Sequence, residues 1–314
     1  MERVLALVKL ITNTFGEFPW AIHSKSNLSA HVFLKRKYSP EKETIFMYSN
    51  PFAKEIDFSS NSFFGREREL WGVLSRLANP HGRVSSAVYG QTCIGKSWFL
   101  KQLEQPDLLA KWDLEEPGVT TVSLNSTEIK PPIVENFWRG VLQQLRSKNI
   151  PSSEQRLIAE ILAASSIDTF LISQLLDLIA KNNRFFLLLL DNFDSIIEQI
   201  DVENPTFLNL LRSLLVRQYK GLGIVMTTIK LLNELCANRF HFDISPFDNV
   251  FYPVELKPFN EKETKEFITY YLKKNFIQFT VEEQEQLFKI SAGYPEQLRK
   301  VCYELFEEKI KANE

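Results

Sequence analysis

Gly90, four intervening residues and then Gly95-Lys96-Ser97 form the eight-residue pattern G-x-x-x-x-G-K-S, and no other feature of the chain restricts its fold so far. Glycines at this spacing let the backbone wrap a polyanion and aim its N–H groups inward, while the lysine reaches the outer charges and the serine hydroxyl offers a hard oxygen to a divalent cation. The pattern carries this meaning only between a strand and a helix. The sequence supplies both, with the apolar run Val84–Tyr89 before the loop and a helix-like stretch opening at Lys96 after it. Gly90, Gln91, Thr92, Cys93, Ile94, Gly95, Lys96, Ser97 and Trp98 are therefore expected to hold a nucleotide's phosphates, with Mg2+ on Ser97.

The chain around the loop alternates two periodicities, which predicts a parallel sheet with helices on both faces. A helix is expected at Arg66–Leu77, a turn at "NPHGR", and strands at Val84–Tyr89 and Val119–Leu124. Ile133–Lys181 reads as helical with breaks at Pro151 and near Ser165. "RFFLLLLD", Arg184–Asp191, is too short for a buried helix and ends in an acid, so strand is the expectation. "TFLNLLRSLLVRQY" reads as a helix, and "GLGIVMTT" and "FYPVEL" as two further strands. From Pro258 the pattern turns wholly helical, with three amphipathic segments that each start near a residue able to cap. The expected organisation is an amino-terminal extension at 1–62, a P-loop NTPase core at 63–257 and a small carboxy-terminal helical lid at 258–314.

The 314 residues are 44% hydrophobic, enough to bury a large core, and the net charge of -2 supplies no global field toward nucleic acid or anionic membrane. No segment approaches the roughly 20 apolar residues of a membrane span, and the amino terminus does not read as a signal peptide, so the expected location is the cytoplasm. Cys93, Cys236 and Cys302 are odd in number and far apart, which argues against a disulfide framework, and the four histidines share no metal-ligand spacing with them. The basic cluster in "FLKRKYSPEKE" reads as a solvated face.

A phosphate loop needs an acid at the end of a nearby strand to position the metal and its waters, and Asp191 stands at the end of the most apolar strand in the chain. With these parts located, "NPF" and "FFGREREL" upstream, "GIVMTT", "VELKPFNEKETKEFI" and "SAGYPEQL" fall in the order that marks one family. Together they resemble the STAND branch of the AAA+-related P-loop ATPases, over about Asn50 to Glu308. The resemblance implies ATP and Mg2+ as ligands, a sheet with the phosphate-loop strand central, and a set of roles. Phe64, Gly65 and Arg66 would lie by the adenine, with Pro295 closing that pocket from the lid. Lys96 and Ser97 would hold the phosphates and Mg2+, with Asp191 behind the metal, and Thr227 or Thr228 would be the polar sensor.

Two departures from that pattern bear on turnover. Relatives that hydrolyse readily carry an acid directly after the metal-positioning aspartate, whereas this chain has Asn192, whose amide holds a water but cannot take its proton. Hydrolysis is then expected to be slow unless Asp194 supplies the base. At the sensor strand, "TTIK" replaces Thr/Ser-x-Arg, leaving Lys230 as the candidate charge. Arg212, Arg217 and Arg299 are candidates for an arginine acting in trans. The leading expectation is an ATP-binding regulatory switch with slow or partner-dependent hydrolysis, associating with itself or a separate protein. The alternative is a DNA-associated ATPase of the initiator or transposition-regulator type, with nucleic acid less favoured on charge. A small-molecule kinase stands third, because the helical tail lacks an arginine-rich substrate lid.

Overall fold

The structure is a computed structural model that describes residues 50–53, 64–79, 83–114, 118–217, 221–240, 247–273 and 275–312. The extension expected at 1–62, apart from 50–53, and the centre of the "NPHGR" turn lie outside these residues. No helix among the described residues is long and apolar enough to cross a membrane.

The chain enters the core through α1 (Glu67–Leu77), which buries Leu70, Val73, Leu74 and Leu77 at three- and four-residue spacing. β1 (Ser85–Tyr89) leads into the phosphate loop, and the loop into α2 (Lys96–Gln102), followed by the short α3 (Pro106–Ala110). β2 (Val119–Asn125) precedes the helices α4 (Ile133–Arg146), α5 (Ser152–Ala163) and α6 (Thr169–Lys181). β3 (Phe185–Asp191), α7 (Asp194–Gln199), α8 (Thr206–Arg217), β4 (Leu222–Thr228), α9 (Leu232–Arg239) and β5 (Phe251–Glu255) complete the core. The expected breaks at Pro151 and near Ser165 fall between α4, α5 and α6. The pattern did not foresee α3, α7 and α9, which span 5, 6 and 8 residues, too short to establish a period.

The five strands pair in the order β2-β3-β4-β1-β5, and every pairing is parallel. The phosphate-loop strand β1 is an inner strand but stands one place from the middle, which β4 occupies. Phe186, Leu188 and Leu190 of β3 join a core with Phe137, Trp138, Ile172 and Leu211, on the face covered by α4 to α9. Phe185, Leu187 and Leu189 face the other way, into a core with Leu74, Leu77, Phe99 and Leu100 of α1 and α2. Both faces are covered, which is why β3 reads as an unbroken apolar run rather than an alternation. Each of its buried side chains contributes about 1.5–3 kcal/mol of transfer free energy.

The lid consists of α10 (Glu261–Leu272), α11 (Val281–Ser291) and α12 (Pro295–Ala312). Asn260 with Glu263, and Thr280 with Glu283, form reciprocal capping boxes that fix where α10 and α11 begin. Its own apolar core gathers Phe267, Ile268, Leu298, Cys302 and Phe306, and it includes Phe52 from far upstream. The lid meets the parallel-sheet core through Phe259, whose N–H donates to the Gly293 carbonyl at 2.8 Å.

Candidate functional site

The phosphate loop leaves β1 at Gly90, whose N–H donates to the Thr228 carbonyl of the neighbouring strand at 3.2 Å. Ile94, 1% exposed, pins the loop to the core beneath it. Gly95 then takes φ 98°, a left-handed conformation that favours glycine, and turns the chain into α2. Lys96 folds back across the loop, its Nζ donating to the Gly90 carbonyl at 2.6 Å and to that of Gln91 at 3.0 Å. Burial lowers the lysine's pKa, and the carboxylates of Asp194 and Asp191 oppose that shift. Ser97 is exposed beside it.

Parallel strands end together, so β2, β3 and β4 bring Asn125, Asp191 and Thr227 to one edge. The Thr227 hydroxyl donates to Asp191 Oδ1 at 2.5 Å and accepts from the Asn192 N–H at 2.9 Å. Asn192 has φ 55°, and its amide Nδ2 donates to Asn125 Oδ1 at 3.3 Å. Thr228 turns away, donating its hydroxyl to the Lys230 carbonyl. One turn later Asp194 opens α7 and accepts from the Ile229 N–H at 2.7 Å. Burial raises the Asp194 pKa, a shift opposed by the hydrogen bond from Ile229 and by the charge of Lys96.

The third wall comes from the lid and from the segment before α1. A cavity of about 660 Å³ is lined by Thr92, Cys93, Ile94, Gly95, Lys96, Ser97 and Trp98, by Asn192, Asp194 and Ile229, by Phe64 and Arg66, and by Phe259, Phe267, Tyr271, Pro295, Glu296 and Arg299. The Arg66 guanidinium lies 5.0 Å from the Phe259 ring centroid and donates to the Ile94 carbonyl at 3.3 Å. Burial lowers its pKa, and Glu69, Glu263 and Glu67 offset part of that. Two contacts bring the lid directly onto the phosphate loop: the Tyr294 hydroxyl donates to Gln91 Oε1, and the Cys93 thiol, raised in pKa chiefly by this bond, is hydrogen-bonded to Glu296.

Of the residues singled out from sequence, Phe64, Arg66, Thr92 to Trp98, Asn192, Asp194 and Pro295 line this cavity. Gly90 and Gln91 lie behind it, holding Lys96 through their carbonyls. Gly65 packs on the Phe259 ring, where an added Cβ would come within 2.9 Å. Asp191 and Thr227 sit one layer back, bonded to each other, while Thr228 and Lys230 do not line the cavity and Ile229 does. Arg299 faces the cavity of its own chain, and Arg212 and Arg217 do not. Sequence reasoning missed Phe259, Phe267, Tyr271 and Glu296. The first of them had a signal, the lone aromatic in "KPFNEKE" between the last strand and the lid.

The fold recurs in solved structures. The Walker-type ATPase of Pyrococcus abyssi is similar with a TM-score of 0.60 and 16% identity, over 82% of this chain and 71% of that one. The ORC2 protein of Aeropyrum pernix gives 0.52 and 16%, over 79% of this chain and 64% of its own, so this chain spans less than two thirds of that protein's length. A chain of Drosophila ORC bound to DNA gives 0.59 and 15%, over 98% of this chain and 70% of that one. No protein-family model matches the chain, and no curated protein matches it. The fold is that of a P-loop NTPase, a parallel-sheet core followed by carboxy-terminal helices.

Proposed function

We propose that the chain binds ATP with Mg2+ between core and lid and hydrolyses it slowly, its nucleotide state setting the angle of the lid as in a STAND or AAA+ switch. The observation that carries this reading is the convergence on one cavity of the phosphate loop and the first two turns of α12, with Tyr294 and Glu296 touching loop residues 91 and 93. A phosphate chain entering there must rearrange those contacts, and a ligand shifts a conformational equilibrium only through such differential contacts.

Lys96 would exchange its bonds to the two loop carbonyls for bonds to the outer phosphates, and Phe64, Arg66, Phe259 and Pro295 would enclose the base. Ser97 and Asp191 offer the hydroxyl and carboxylate oxygens that suit Mg2+, and Asp191 is already oriented by Thr227 and by the Asn192 N–H. The metal when bound would neutralise charge between the outer phosphates. Asn192 cannot act as base, which leaves Asp194, the carboxylate that the core contributes to the cavity, to accept a proton; the other lining carboxylate, Glu296, comes from the lid. The test is ATP binding and phosphate release by the wild-type chain and Lys96→Ala; equal binding by both would remove the reading.

A second reading is a DNA-associated AAA+ ATPase, favoured by the likeness to a chain of an assembly solved on DNA. It calls for an affinity for duplex DNA in the presence of ATP that falls linearly in log–log form as salt rises. Absence of that affinity at physiological ionic strength would exclude it and leave a protein-directed switch.

A further inference from the structure

Asn50-Pro51-Phe52 opens the described residues, far upstream of the lid in sequence, and it is seated in the lid's apolar core. Phe52 is fully buried there, its ring 5.9 Å from Phe279 and stacked on it, 5.4 Å from Tyr271 and edge-on to Phe306 at 6.4 Å. Asn50 locks the turn in two directions. Its Oδ1 accepts from the Phe52 N–H at 3.0 Å, and its Nδ2 donates to the Tyr303 carbonyl at 3.0 Å and to Glu307 Oε1 at 2.9 Å. A buried aromatic ring and three hydrogen bonds are more than a passing chain needs. The Phe52 carbonyl, moreover, does not go to its own turn: it accepts from Arg299 Nη1 at 3.0 Å.

Arg299 is the one cation that the lid contributes to the cavity lining among the described residues, the others being Arg66 and Lys96. A guanidinium has five N–H donors in a fixed plane, so anchoring one arm on a carbonyl orients the rest. An arginine on a helix otherwise carries rotamer entropy that binding must remove.

We propose that the Asn50-Pro51-Phe52 turn is a positioning element for the nucleotide site: it holds Arg299 toward the cavity and so couples its own docking on the lid to occupation of the site by a nucleoside triphosphate. The inference rests on the nucleotide-binding reading above. Because coupling is reciprocal, the triphosphate tightens the turn by the factor by which the turn tightens the triphosphate.

The test measures the affinities of the full chain for ATP and for adenosine, in wild type, Asn50→Ala, Arg299→Ala and the double variant, alongside hydrogen exchange at the Phe52 and Ala53 amides of the wild type with and without ATP. The expected result is an ATP affinity weakened about fivefold or more by Asn50→Ala, adenosine unchanged, and no further loss when Asn50→Ala is added to Arg299→Ala. ATP should also slow exchange at the two amides. Equal losses for ATP and adenosine, or additive losses in the double variant, would mean that the turn merely supports the lid, and would overturn the proposal. Unchanged amide exchange on ATP binding overturns it without any variant having to fold. Failure of wild type to bind ATP overturns the nucleotide reading itself, and this inference with it.

Discussion

Asn192 follows Asp191 in a left-handed backbone, φ 55°, with its N–H shared between Asp191 and Thr227. That conformation costs a long side chain about 1–2 kcal/mol, whereas asparagine and aspartate visit it readily. The identity of residue 192 is therefore set by backbone geometry as well as by chemistry. Asn192→Asp is expected to raise phosphate release above wild type, because it places a carboxylate beside the phosphates without strain, while Asn192→Glu should destabilise the fold and gain less. Rates with Lys96→Ala as the blank check this. Asp194→Asn is expected to lower turnover by about tenfold or more. Burial raises the Asp194 pKa, so the folded protein binds that proton more tightly than the unfolded chain does. Ionising it then removes stability as pH rises through the folded pKa, and the base form is lost as pH falls through it. The acid limb of kcat should accordingly lie above the ordinary aspartate value of about 3.9 and disappear in Asp194→Asn, which a pH profile at saturating ATP will show.

At the scale of elements, Phe259 links the core to the lid, beside the contacts of Tyr294 and Glu296 with the loop. Phe259 packs on Gly65 before α1, carries Arg66 over its ring, donates its N–H to Gly293 between α11 and α12, and lines the cavity. This explains the glycines of the two motifs read from sequence. A Cβ at Gly293 would lie 2.1 Å from the Phe259 carbonyl oxygen, at φ 74°. Gly293→Ala is expected to destabilise the lid by about 2 kcal/mol or more, combining left-handed strain with a backbone clash. Denaturant unfolding followed by the lid's tyrosines would measure it. The core should unfold with little change, because its two apolar clusters share no member with that of the lid.

For the whole molecule, the cavity is built from three separate parts of the chain, so ligand binding should stabilise the assembled state over any state with the lid detached. ATP at one hundred times its Kd is expected to add about 2.7 kcal/mol, read as a rise in Tm of several degrees that Lys96→Ala abolishes. A rise that persists in Lys96→Ala would place the nucleotide elsewhere.

The sheet, the phosphate loop, the acid at the end of β3 and the three lid helices were legible in the sequence because each is written locally. A strand covered on both faces is a continuous apolar run, a helix face repeats at three and four residues, and a loop that wraps phosphate must have glycine at fixed places. The short helices α3, α7 and α9 were not legible, since a period cannot be established in so few residues. Nor could sequence show that Phe259, Tyr271 and Glu296 meet the loop, that Arg299 faces its own chain's cavity, or that Phe52 seats in a lid more than two hundred residues away. These are contacts between elements whose separation in sequence carries no periodic signal. The loop proposed to hold the phosphates and the acid behind it are thus written locally, in residues 90–98 and 191, whereas the wall that closes over them was decided by the packing of α10 and α12 around Phe259 and Phe52, which only the folded chain brings together.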